Sequence, residues 1–525
     1  MTTATAEAEI TPDPPEAAET PEGVRAVPDI VRRRLSGLED WLNPYSWLVT
    51  GVITAIAAIL RLKDLGSVKG YIFDEVYYPT DAWDMLHHAV EWDEKTNGPA
   101  YVVHPPLGKW LIALGEKAFG NHEFGWRFPA AIAGTLMILI LIRIAYRMFH
   151  SIVLAGIAGL LMTLDGFQLV LSRTSLLDIF LGLFVEMTFA CLLLDRDHYR
   201  RRLLKALEDG YDPTATYKIP RVTPWWLLAG GICFGLANGV KWSALFFLPF
   251  FGIVVLIWRW QARRSAGIRG PIVAGVIGDF GWWVASIALS LIFYLATWTG
   301  WFVTNDGYFR HYRQANGLSE PPILGALLNL WHYHHEAYEF HSGLTAKHPY
   351  QSWPWQWLLL GRPVSFYWNN TGNCGSPSCA REILLLGTPL LWWSFGPALI
   401  ATLWFGIARR DWRATAILIP AVGSMLPWYY YAVTDGRTMF SFYLLPGLPF
   451  LILAVVYVLG AIMTPREGVA TGAMRTDHQL IGTAVVGIYV AAVALCFAYF
   501  YPIFVGQLIT YQGWASRMWL GNRWM

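Results

Sequence analysis

The most constraining feature of this chain is a series of long apolar stretches that recurs from residue 46 to residue 501. A bilayer core of roughly 30 Å needs about 20 mostly apolar residues for one helical crossing, and short basic clusters separate these stretches. Over the whole chain 55% of the residues are hydrophobic and 14% are charged, which is too apolar for an ordinary soluble domain. The sequence therefore predicts a polytopic membrane protein.

We count about eleven candidate spans, each close to the length that a helical crossing requires. They lie near residues 46–62, 129–148, 152–167, 176–194, 225–240, 242–258, 279–299, 384–407, 414–432, 439–463 and 479–501. The third and the fifth are short, so they are also candidates for tilted or re-entrant segments. The predicted fold class is all-α, with about eleven transmembrane helices.

The distribution of positive charge predicts how the spans are oriented. Lys and Arg close to span ends are retained in the cytoplasm, and here they gather in one set of short connections. These clusters lie at residues 32–34, 143–147, 196–205, 259–269, 409–413 and 466–475. We expect a multi-pass protein of the plasma membrane with a cytoplasmic N-terminus and an exported C-terminus. The net charge of +2 and the lack of a longer basic block indicate no nucleic-acid partner.

The spans and loops divide the chain into four parts. Residues 1–40 begin with a stretch rich in Ala, Pro, Thr and Glu and precede the first span, so we expect a disordered cytoplasmic tail. Residues 41–300 form an N-terminal transmembrane module that includes a long exported loop at 63–128. A second exported loop covers 301–383, and residues 384–525 form a C-terminal transmembrane module. Function is expected in the two long loops.

Both exported loops contain sequences suited to a membrane surface. In the first, Pro105 and Pro106 can start a helix in which Trp110, Leu114 and Phe119 share one face, which predicts an amphipathic surface helix. The second holds the strings WHYHHEAYEFHSG and HPYQSWPWQW, which are dense in Trp, Tyr and His. Amphipathic rings of this kind favour the level of the lipid headgroups.

The best catalytic candidates are the adjacent carboxylates Asp74 and Glu75, which follow the first span in the first exported loop. Neighbouring residues on a helix or strand point in different directions, so we expect distinct roles rather than a shared proton. Taken alone, an acidic dipeptide of this kind is more often an exposed loop without chemistry. The strings around it change that balance.

Six strings occur in order: FDEVYYPTDA at 73–82, HPPLGK at 104–109, GWRFPA at 125–130, SRTSLLD at 172–178, GLANGVKW at 235–242 and HPYQSWPWQW at 348–357. Together they resemble the protein O-mannosyltransferases over most of the chain. The resemblance implies a GT-C type glycosyltransferase that moves mannose, with inversion, from a polyprenyl phosphate carrier to Ser or Thr hydroxyls on the extracytoplasmic face. The second loop has no room for the β-trefoil insertion of eukaryotic members, so the chain resembles a bacterial, actinobacterial form.

The resemblance also implies the partners. The donor is polyprenyl phosphate mannose, and the acceptors are Ser- and Thr-rich exported polypeptides, which are expected to be met as they leave the protein secretion channel. No cofactor and no divalent metal is expected for catalysis. The dense histidines between 332 and 341 fit no compact zinc pattern, and we interpret them as part of an aromatic, His-rich membrane surface.

Transfer to a hydroxyl requires a base that accepts its proton, and a positioned carboxylate suits this role. The family pattern assigns Asp74 as the base and Glu75 as support. A lipid phosphate leaves as a stable anion, so it needs positive charge rather than a general acid. The candidate cations at exported span ends, each alternatively an interfacial anchor, are Arg61, Arg127, Lys241 and Arg437.

Four further residues are predicted to line the donor or acceptor site: His104, Asp178, His348 and Trp353. A carboxylate such as Asp178, close to the apolar zone, is costly enough to suggest a purpose. Its alternative is a structural ion pair that involves Asp165 or Arg173.

Cys374 and Cys379 lie in the exported string NCGSPSC. Because that side of the membrane is oxidising, we predict a disulfide that fixes a hairpin-like turn.

Two alternatives belong to other functional classes. A secondary transporter would show paired repeats and helices broken near the midplane, and the sequence shows no internal repeat. A different GT-C enzyme, one that moves arabinose or aminoarabinose to a glycan or lipid, is the closer rival, because fold alone does not decide the substrate.

Overall fold

The computed structural model of this chain describes residues 27–36, 43–215, 223–464 and 473–525. Within these ranges the helices, in chain order, are α1 (Asp29–Leu35), α2 (Pro44–Leu62), α3 (Tyr78–His88), α4 (Leu107–Phe119), α5 (Glu123–Phe149), α6 (Ile152–Thr163), α7 (Gly166–Ser172), α8 (Leu177–Glu208), α9 (Trp225–Val240), α10 (Phe247–Ser265), α11 (Pro271–Thr297), α12 (Thr299–Val303), α13 (Tyr312–Ala315), α14 (Pro322–Ser342), α15 (Pro354–Trp357), α16 (Pro389–Arg409), α17 (Trp412–Thr434), α18 (Leu448–Met463), α19 (Ala473–Val505) and α20 (Tyr511–Ala515). Segments of 3-10 helix lie at Phe73–Val76, Trp242–Phe246, Ser441–Gly447 and Gly521–Arg523.

Nine helices in the described ranges are long and apolar enough to cross a membrane. Helices α6 and α7 meet at a bend of 64° and make a tenth span when taken together, whereas α9 is apolar but only 16 residues long. Each predicted stretch overlaps one of these helices, and the two that the sequence marks as short correspond to the bent pair and α9. The protein is therefore a multi-pass, largely helical membrane protein.

Two predicted boundaries were wrong because charged residues lie inside helices. Helix α11 begins at Pro271 rather than near residue 279, and its Asp279 carboxylate binds Arg259 at 2.8 Å. Helix α8 continues to Glu208, far beyond residue 194, and its Asp195 also binds Arg259, at 2.7 Å. The pairing offsets the cost of burying each charge, so neither helix has to end there.

Part of the predicted tail at 1–40 is helical. Helix α1 packs on α8 and α10, with Leu35 fully buried and Arg32 paired with Glu208 at 3.0 Å. The prediction of disorder does not hold for this segment. Residues 1–26 and 37–42 lie outside the described residues.

The spans form an inner bundle and an outer layer. Of the apolar windows of α5, α8 and the segment Ser441–Met463, 67%, 72% and 83% are buried, whereas the figure for α11 is 6%. Helix α11 is held against α9 by two glycines: a Cβ at Gly231 or Gly235 would lie 2.4 Å or 2.3 Å from a backbone oxygen of α11. Small residues allow this close helix approach, and they fix α11 by one face only.

The first long loop contains α3, the short antiparallel hairpin β1 (Trp92–Asp93) and β2 (Gly98–Pro99), and α4. Helix α4 occupies the region where a surface helix was predicted. Its buried face carries Ile112 and the polar residues Lys109 and Glu116, while Leu114 and Phe119 lie on the exposed side. Lys109 and Glu116 of α4 therefore point into the protein.

A small sheet connects the second long loop to the C-terminus. Strands β3 (Val364–Asn369), β4 (Cys379–Leu385) and β5 (Ile509–Thr510) pair in the order β3-β4-β5, all antiparallel. The structure places the predicted disulfide between Cys374 and Cys379 in the β3–β4 hairpin. Trp514 donates a 2.6 Å hydrogen bond to Glu382 of β4, which fixes the C-terminal segment to the hairpin. The all-α prediction did not include these short strands.

Candidate active site

The two acidic candidates lie on the 3-10 segment Phe73–Val76, which enters this turn through a residue in the left-handed region. Phe73 has φ +49°, a conformation that costs about 1–2 kcal/mol for a residue with a side chain. Aromatic contacts hold its ring: Phe366 of β3 stacks at 4.6 Å, and Phe442 and His348 lie within 6.3 Å. Such contacts contribute about 0.5–1.5 kcal/mol each. The second long loop therefore stabilises the 3-10 turn at Phe73–Val76 in the first long loop.

Glu75 is fully buried and forms the centre of a hydrogen-bonded clamp. Its two carboxylate oxygens accept from Arg127 at 2.9 and 2.7 Å, and they also accept from the backbone N–H groups of Ser175 (2.9 Å) and Ile72 (3.1 Å). The clamp joins the first exported loop to α5 and to the residues that precede α8. This geometry fits the predicted supporting role of Glu75.

The structure does not leave Arg127 free for a phosphate. Besides the two bonds to Glu75, its guanidinium donates to the carbonyl oxygens of Leu65 (3.4 Å), Val68 (2.7 Å) and Gly70 (3.0 Å), and its side chain is 1% exposed. All of its N–H directions face the protein. The prediction of a phosphate contact is not supported by this geometry, and Arg127 is placed instead as the partner that holds Glu75.

Asp74 has a different environment from its neighbour. Successive residues of a 3-10 helix are about 120° apart, so with Glu75 buried, Asp74 faces the partly exposed side of the turn. Burial raises the pKa of its carboxyl to about 6, the positive charge of Lys241 acts in the opposite direction, and Asp178 adds to the rise. Because the pKa remains below 7, the carboxylate is mainly ionised at neutral pH and is able to accept a proton.

Lys241 and Asp178 form a buried ion pair next to Asp74. The Lys241 Nζ lies 2.8 and 3.0 Å from the two Asp178 oxygens. Lys241 follows the end of α9, and Asp178 lies in the first turn of α8, so the two helix ends bring the pair together. The ion pair that was the alternative reading of Asp178 is present, but its partner is Lys241 rather than Asp165 or Arg173.

Arg437 lies close to an aromatic ring that Lys241 also contacts. Its guanidinium carbon is 5.7 Å from the Tyr443 ring centre, and the Lys241 Nζ is 5.2 Å from the same centre. The Arg437 Nε donates to the His341 carbonyl at 2.9 Å, while its Nη1 is buried and has no hydrogen-bond partner among the described residues. A buried guanidinium with a free donor has the capacity to bind an anion.

Two predicted or neighbouring histidines lie close to this pair of cations. The His104 ring is 5.1 Å from that of His341 and 6.2 Å from that of Tyr78. Burial lowers the pKa of His104 well below its usual range, and Lys241 lowers it further; burial also lowers the pKa of His341, to about 4. Both rings are therefore neutral at pH 7, and the positive charge belongs to Lys241 and Arg437.

The second loop brings one of its two predicted residues to the turn. The His348 ring lies 6.3 Å from Phe73, beside Asp74, and its Nδ1 accepts from the Tyr350 backbone N–H at 3.1 Å. Trp353 instead stacks on Trp355 at 5.6 Å, and none of its recorded contacts reaches the acidic turn. Its predicted role in lining the site is not supported by these contacts.

Arg61 lies elsewhere. It is fully buried and donates to the Ala57 carbonyl at 3.0 Å and to the Gln168 side chain, so it stabilises the end of α2 rather than facing the cations of the site. Arg173 binds the same helix end through the carbonyls of Leu60 and Arg61, at 3.1 and 2.8 Å. The predicted phosphate role of Arg61 has no support in this arrangement.

A second charged group was missed by sequence reasoning. Lys109 is 1% exposed, contacts Glu91 and lies 3.7 Å from Asp81. Burial raises the pKa of Asp81 to about 6, which Lys109 opposes. Burial also raises the pKa of Tyr78, and the charges of Asp74 and Asp81 raise it further. Lys109 lies in the string HPPLGK and Asp81 in the string FDEVYYPTDA, so the sequence contained a signal for both residues.

The histidines between 332 and 341 are used in separate contacts. His332 stacks on Tyr312 at 3.5 Å, while His334 donates from Nδ1 to the Leu330 carbonyl at 2.6 Å and contacts the Tyr294 hydroxyl with Nε2. In the part of the chain that the structure describes, no three His, Cys, Asp or Glu side chains gather as a metal-ligand set.

An apolar cavity of about 820 Å³ adjoins the site on the membrane side. It lies between α9, α10 and α11, and α14 covers one end with His334 and Tyr338. There Trp242 donates to the Tyr294 hydroxyl at 3.1 Å. Since Trp242 follows Lys241 in the chain, the cavity and the cationic site meet at this point.

Comparison with known proteins agrees with the resemblance. Residues 326–524 match the family model of the C-terminal four TMM region of protein-O-mannosyltransferase, and residues 103–207 match dolichyl-phosphate-mannose-protein mannosyltransferase. The polyprenol-phosphate-mannose–protein mannosyltransferase of Mycobacterium tuberculosis is 39% identical over 90% of this chain and 91% of its own length. That of Corynebacterium glutamicum is 32% identical over 91% and 93%.

Two solved structures share the fold. The donor-bound Pmt1–Pmt2 complex of S. cerevisiae matches with a TM-score of 0.65 and 16% identity over 90% of this chain and 92% of that one. Apo ArnT from Cupriavidus metallidurans matches with a TM-score of 0.50 and 16% identity over 87% and 76%. At these identities the likeness concerns architecture, which is that of the GT-C glycosyltransferases.

The Glu75–Arg127 clamp leads to a prediction about stability. Arg127→Gln leaves a fully buried carboxylate without its cation, and breaking a buried pair in this way costs about 3–5 kcal/mol. We expect a clear fall in the apparent melting temperature of the purified protein. Lys69→Gln is the matched control, since the 77%-exposed Lys69 side chain pairs with Glu123 at 3.4 Å and exposed pairs contribute about 0–1 kcal/mol. Equal melting temperatures for both variants would contradict the clamp.

Proposed function

The chain belongs to the protein O-mannosyltransferase family, and we propose on that basis that it transfers mannose from polyprenyl phosphate mannose to Ser and Thr hydroxyls of exported proteins. Its relatives are named for that donor and for protein acceptors. The observation that carries the proposal is the partly exposed Asp74 beside Lys241 and the unsatisfied donor of Arg437. A base with cations nearby is what this transfer requires.

Asp74 acts as the base in this proposal. As the acceptor oxygen attacks the anomeric carbon, its proton passes to the Asp74 carboxylate, the C–O bond to the carrier phosphate breaks, and the mannose is delivered with inverted configuration. A pKa of about 6 is high enough to accept the proton and low enough to leave the group ionised at neutral pH. Glu75 cannot share the role, because Arg127 and two backbone N–H groups occupy its oxygens.

Lys241 and Arg437 are proposed to hold the departing phosphate. They lie 5.2 and 5.7 Å from the centre of the Tyr443 ring, and the spare Arg437 donor is already desolvated, so charge that develops on the leaving phosphate meets fixed positive charge. Asp178 keeps Lys241 in place. The proposal replaces Arg127, whose donors are committed elsewhere, and Arg61, which binds Ala57 and Gln168 away from these cations, and it assigns no cofactor and no metal.

The remainder of the donor is expected to lie in the apolar cavity. A lipid chain attached to a phosphate at Lys241 would leave the site past Trp242 and enter the space between α9, α10 and α11. We further propose that the active site and the C-terminus face the outside of the plasma membrane, as the basic connections indicate, and that exported acceptors are met at the secretion channel. His104 and His348 are proposed to line the donor side as neutral groups.

The base assignment is tested by Asp74→Asn. The amide cannot accept the proton, so we expect mannose transfer from polyprenyl phosphate mannose to a Thr-rich peptide to fall by about 10²-fold or more. Asp306→Asn, an exposed exported carboxylate, is the control and should retain wild-type activity. The melting temperature of the Asp74→Asn protein should be unchanged. Near-normal turnover by that variant would overturn the assignment.

The phosphate site is tested by Arg437→Gln. Loss of one charge-assisted hydrogen bond of about 1.5–3 kcal/mol predicts that the KM for the lipid donor rises about 10- to 100-fold, while the KM for the peptide changes little. Lys347→Gln removes an exposed positive charge from the second long loop. This variant should change neither the KM for the lipid donor nor the KM for the peptide. An unchanged dependence on donor concentration in Arg437→Gln would contradict a phosphate contact.

A further inference from the structure

The apolar cavity below the site has a second cavity beneath it, and the two share one wall residue. The upper cavity, of about 820 Å³, and the lower, of about 580 Å³, both lie between α10 and α11, and Trp283 lines both. Trp283 is at the midpoint of α11, which runs from Pro271 to Thr297. The two cavities are therefore the upper and lower halves of one groove, separated by a single indole ring.

The packing of α11 explains why the groove exists. Helix α11 touches α9 backbone to backbone at Gly231 and Gly235, and this contact holds it away from α10. On α10, Gly252 faces the indole: a Cβ built there would lie 3.7 Å from the Trp283 ring. The groove therefore has a passage beside the Trp283 ring, where Gly252 contributes no side chain to the α10 wall.

The two ends of the groove have different chemistry. The upper end meets Trp242 and Tyr294, next to Lys241. The lower end is formed by Arg263 and Asp279, which are bound to each other. Between Ile272 and Tyr294 the groove follows about 33 Å of helix at 1.5 Å per residue, which is close to the roughly 30 Å of a bilayer core.

We propose that one isoprenoid chain of the lipid donor occupies both cavities, passing between Trp283 and Gly252, so that the lower cavity makes the enzyme prefer long carriers over short ones. The inference rests on the proposed function, since it takes the occupant from the carrier whose phosphate lies at Lys241. The upper cavity is continuous with that site, its walls are apolar, and exposed residues such as Leu248 and Phe280 leave the groove open towards the lipid.

The occupant is a chain rather than a second headgroup. The charges at the lower end are already neutralised, because Arg263 binds Asp279 and Arg259 binds both Asp279, at 2.8 Å, and Asp195, at 2.7 Å. Among the residues that line the lower cavity, an anionic lipid headgroup would find no unpaired cation. An uncharged hydrocarbon chain that ends at this floor requires none.

The experiment compares two donors on the full-length protein reconstituted in bilayers: mannosyl phosphate on a short farnesyl-type chain and on a long polyprenyl chain. Gly252→Phe closes the passage beside Trp283, and Val276→Trp fills the lower cavity without touching the passage. For both variants we expect the KM of the long donor to rise about tenfold, because chain surface that the lower cavity would bury stays outside it. For Val276→Trp, which lies outside the upper cavity, the KM of the short donor should be unchanged. Val284→Phe adds a ring on an exposed face of α11 that lines neither cavity and should behave as wild type with both donors.

The outcomes separate the two proposals. Transfer by wild type from neither donor would contradict the proposed function. Normal transfer from both donors, with Gly252→Phe and Val276→Trp equal to Val284→Phe, would overturn the chain route alone, and it would mean that ordinary membrane lipid fills the lower cavity. A selective loss for the long donor in the variants supports the route, and Val276→Trp keeps the test informative if Gly252→Phe fails to fold.

Discussion

The buried pair of Glu75 and Arg127 is the interaction on which the site depends. Moving two charges out of water costs several kcal/mol per ion, and this is offset only when nearly every donor and acceptor is satisfied. Here Arg127 makes five recorded hydrogen bonds, and Glu75 also accepts from Ile72 and Ser175. The geometry that satisfies the pair also fixes the 3-10 turn. The Glu75 carboxylate is thereby held inside the protein, and the neighbouring Asp74 is directed to the partly exposed side.

The same principle separates the cations of the chain by role. Arg127 and Arg173 are surrounded by backbone carbonyls of the segment that follows α2, so they hold that segment in place. Lys241 and Arg437 have fewer fixed partners, and both lie close to the Tyr443 ring, where an anion would complete their coordination. A site arranged in this way needs little reorganisation when charge develops on a leaving phosphate. The number of donors already used, rather than residue type, distinguishes a structural arginine from a binding one.

Much of the fold followed from local sequence. Apolar length located the spans, and the quoted strings located Asp74, Glu75, Lys241 and His104, because each string carries its residues within a short stretch. The sequence did not predict contacts between residues that are far apart along the chain. Arg61 binds Gln168, which is 107 residues away, and nothing near Arg61 distinguishes it from a phosphate ligand.

The strands show the same limit. Strand β5 pairs with β4 across about 130 residues. Neither segment alternates apolar and polar residues clearly enough to predict a strand. Helix boundaries failed where a charge was neutralised by another helix, as at Asp279. In each case the deciding interaction is long-range, and a single sequence does not contain it.

The pH dependence of transfer tests the central claim, that a partly buried Asp74 is the base, most directly. With its pKa raised to about 6 by burial, Asp74 takes up a proton as the pH falls through that value and loses the ability to accept one from the acceptor. The account predicts that kcat/KM is level above this pKa and falls about tenfold per pH unit below it, in protein that remains folded over the range. A rate that stays constant as the pH falls well below 6, with the protein folded, would contradict the claim.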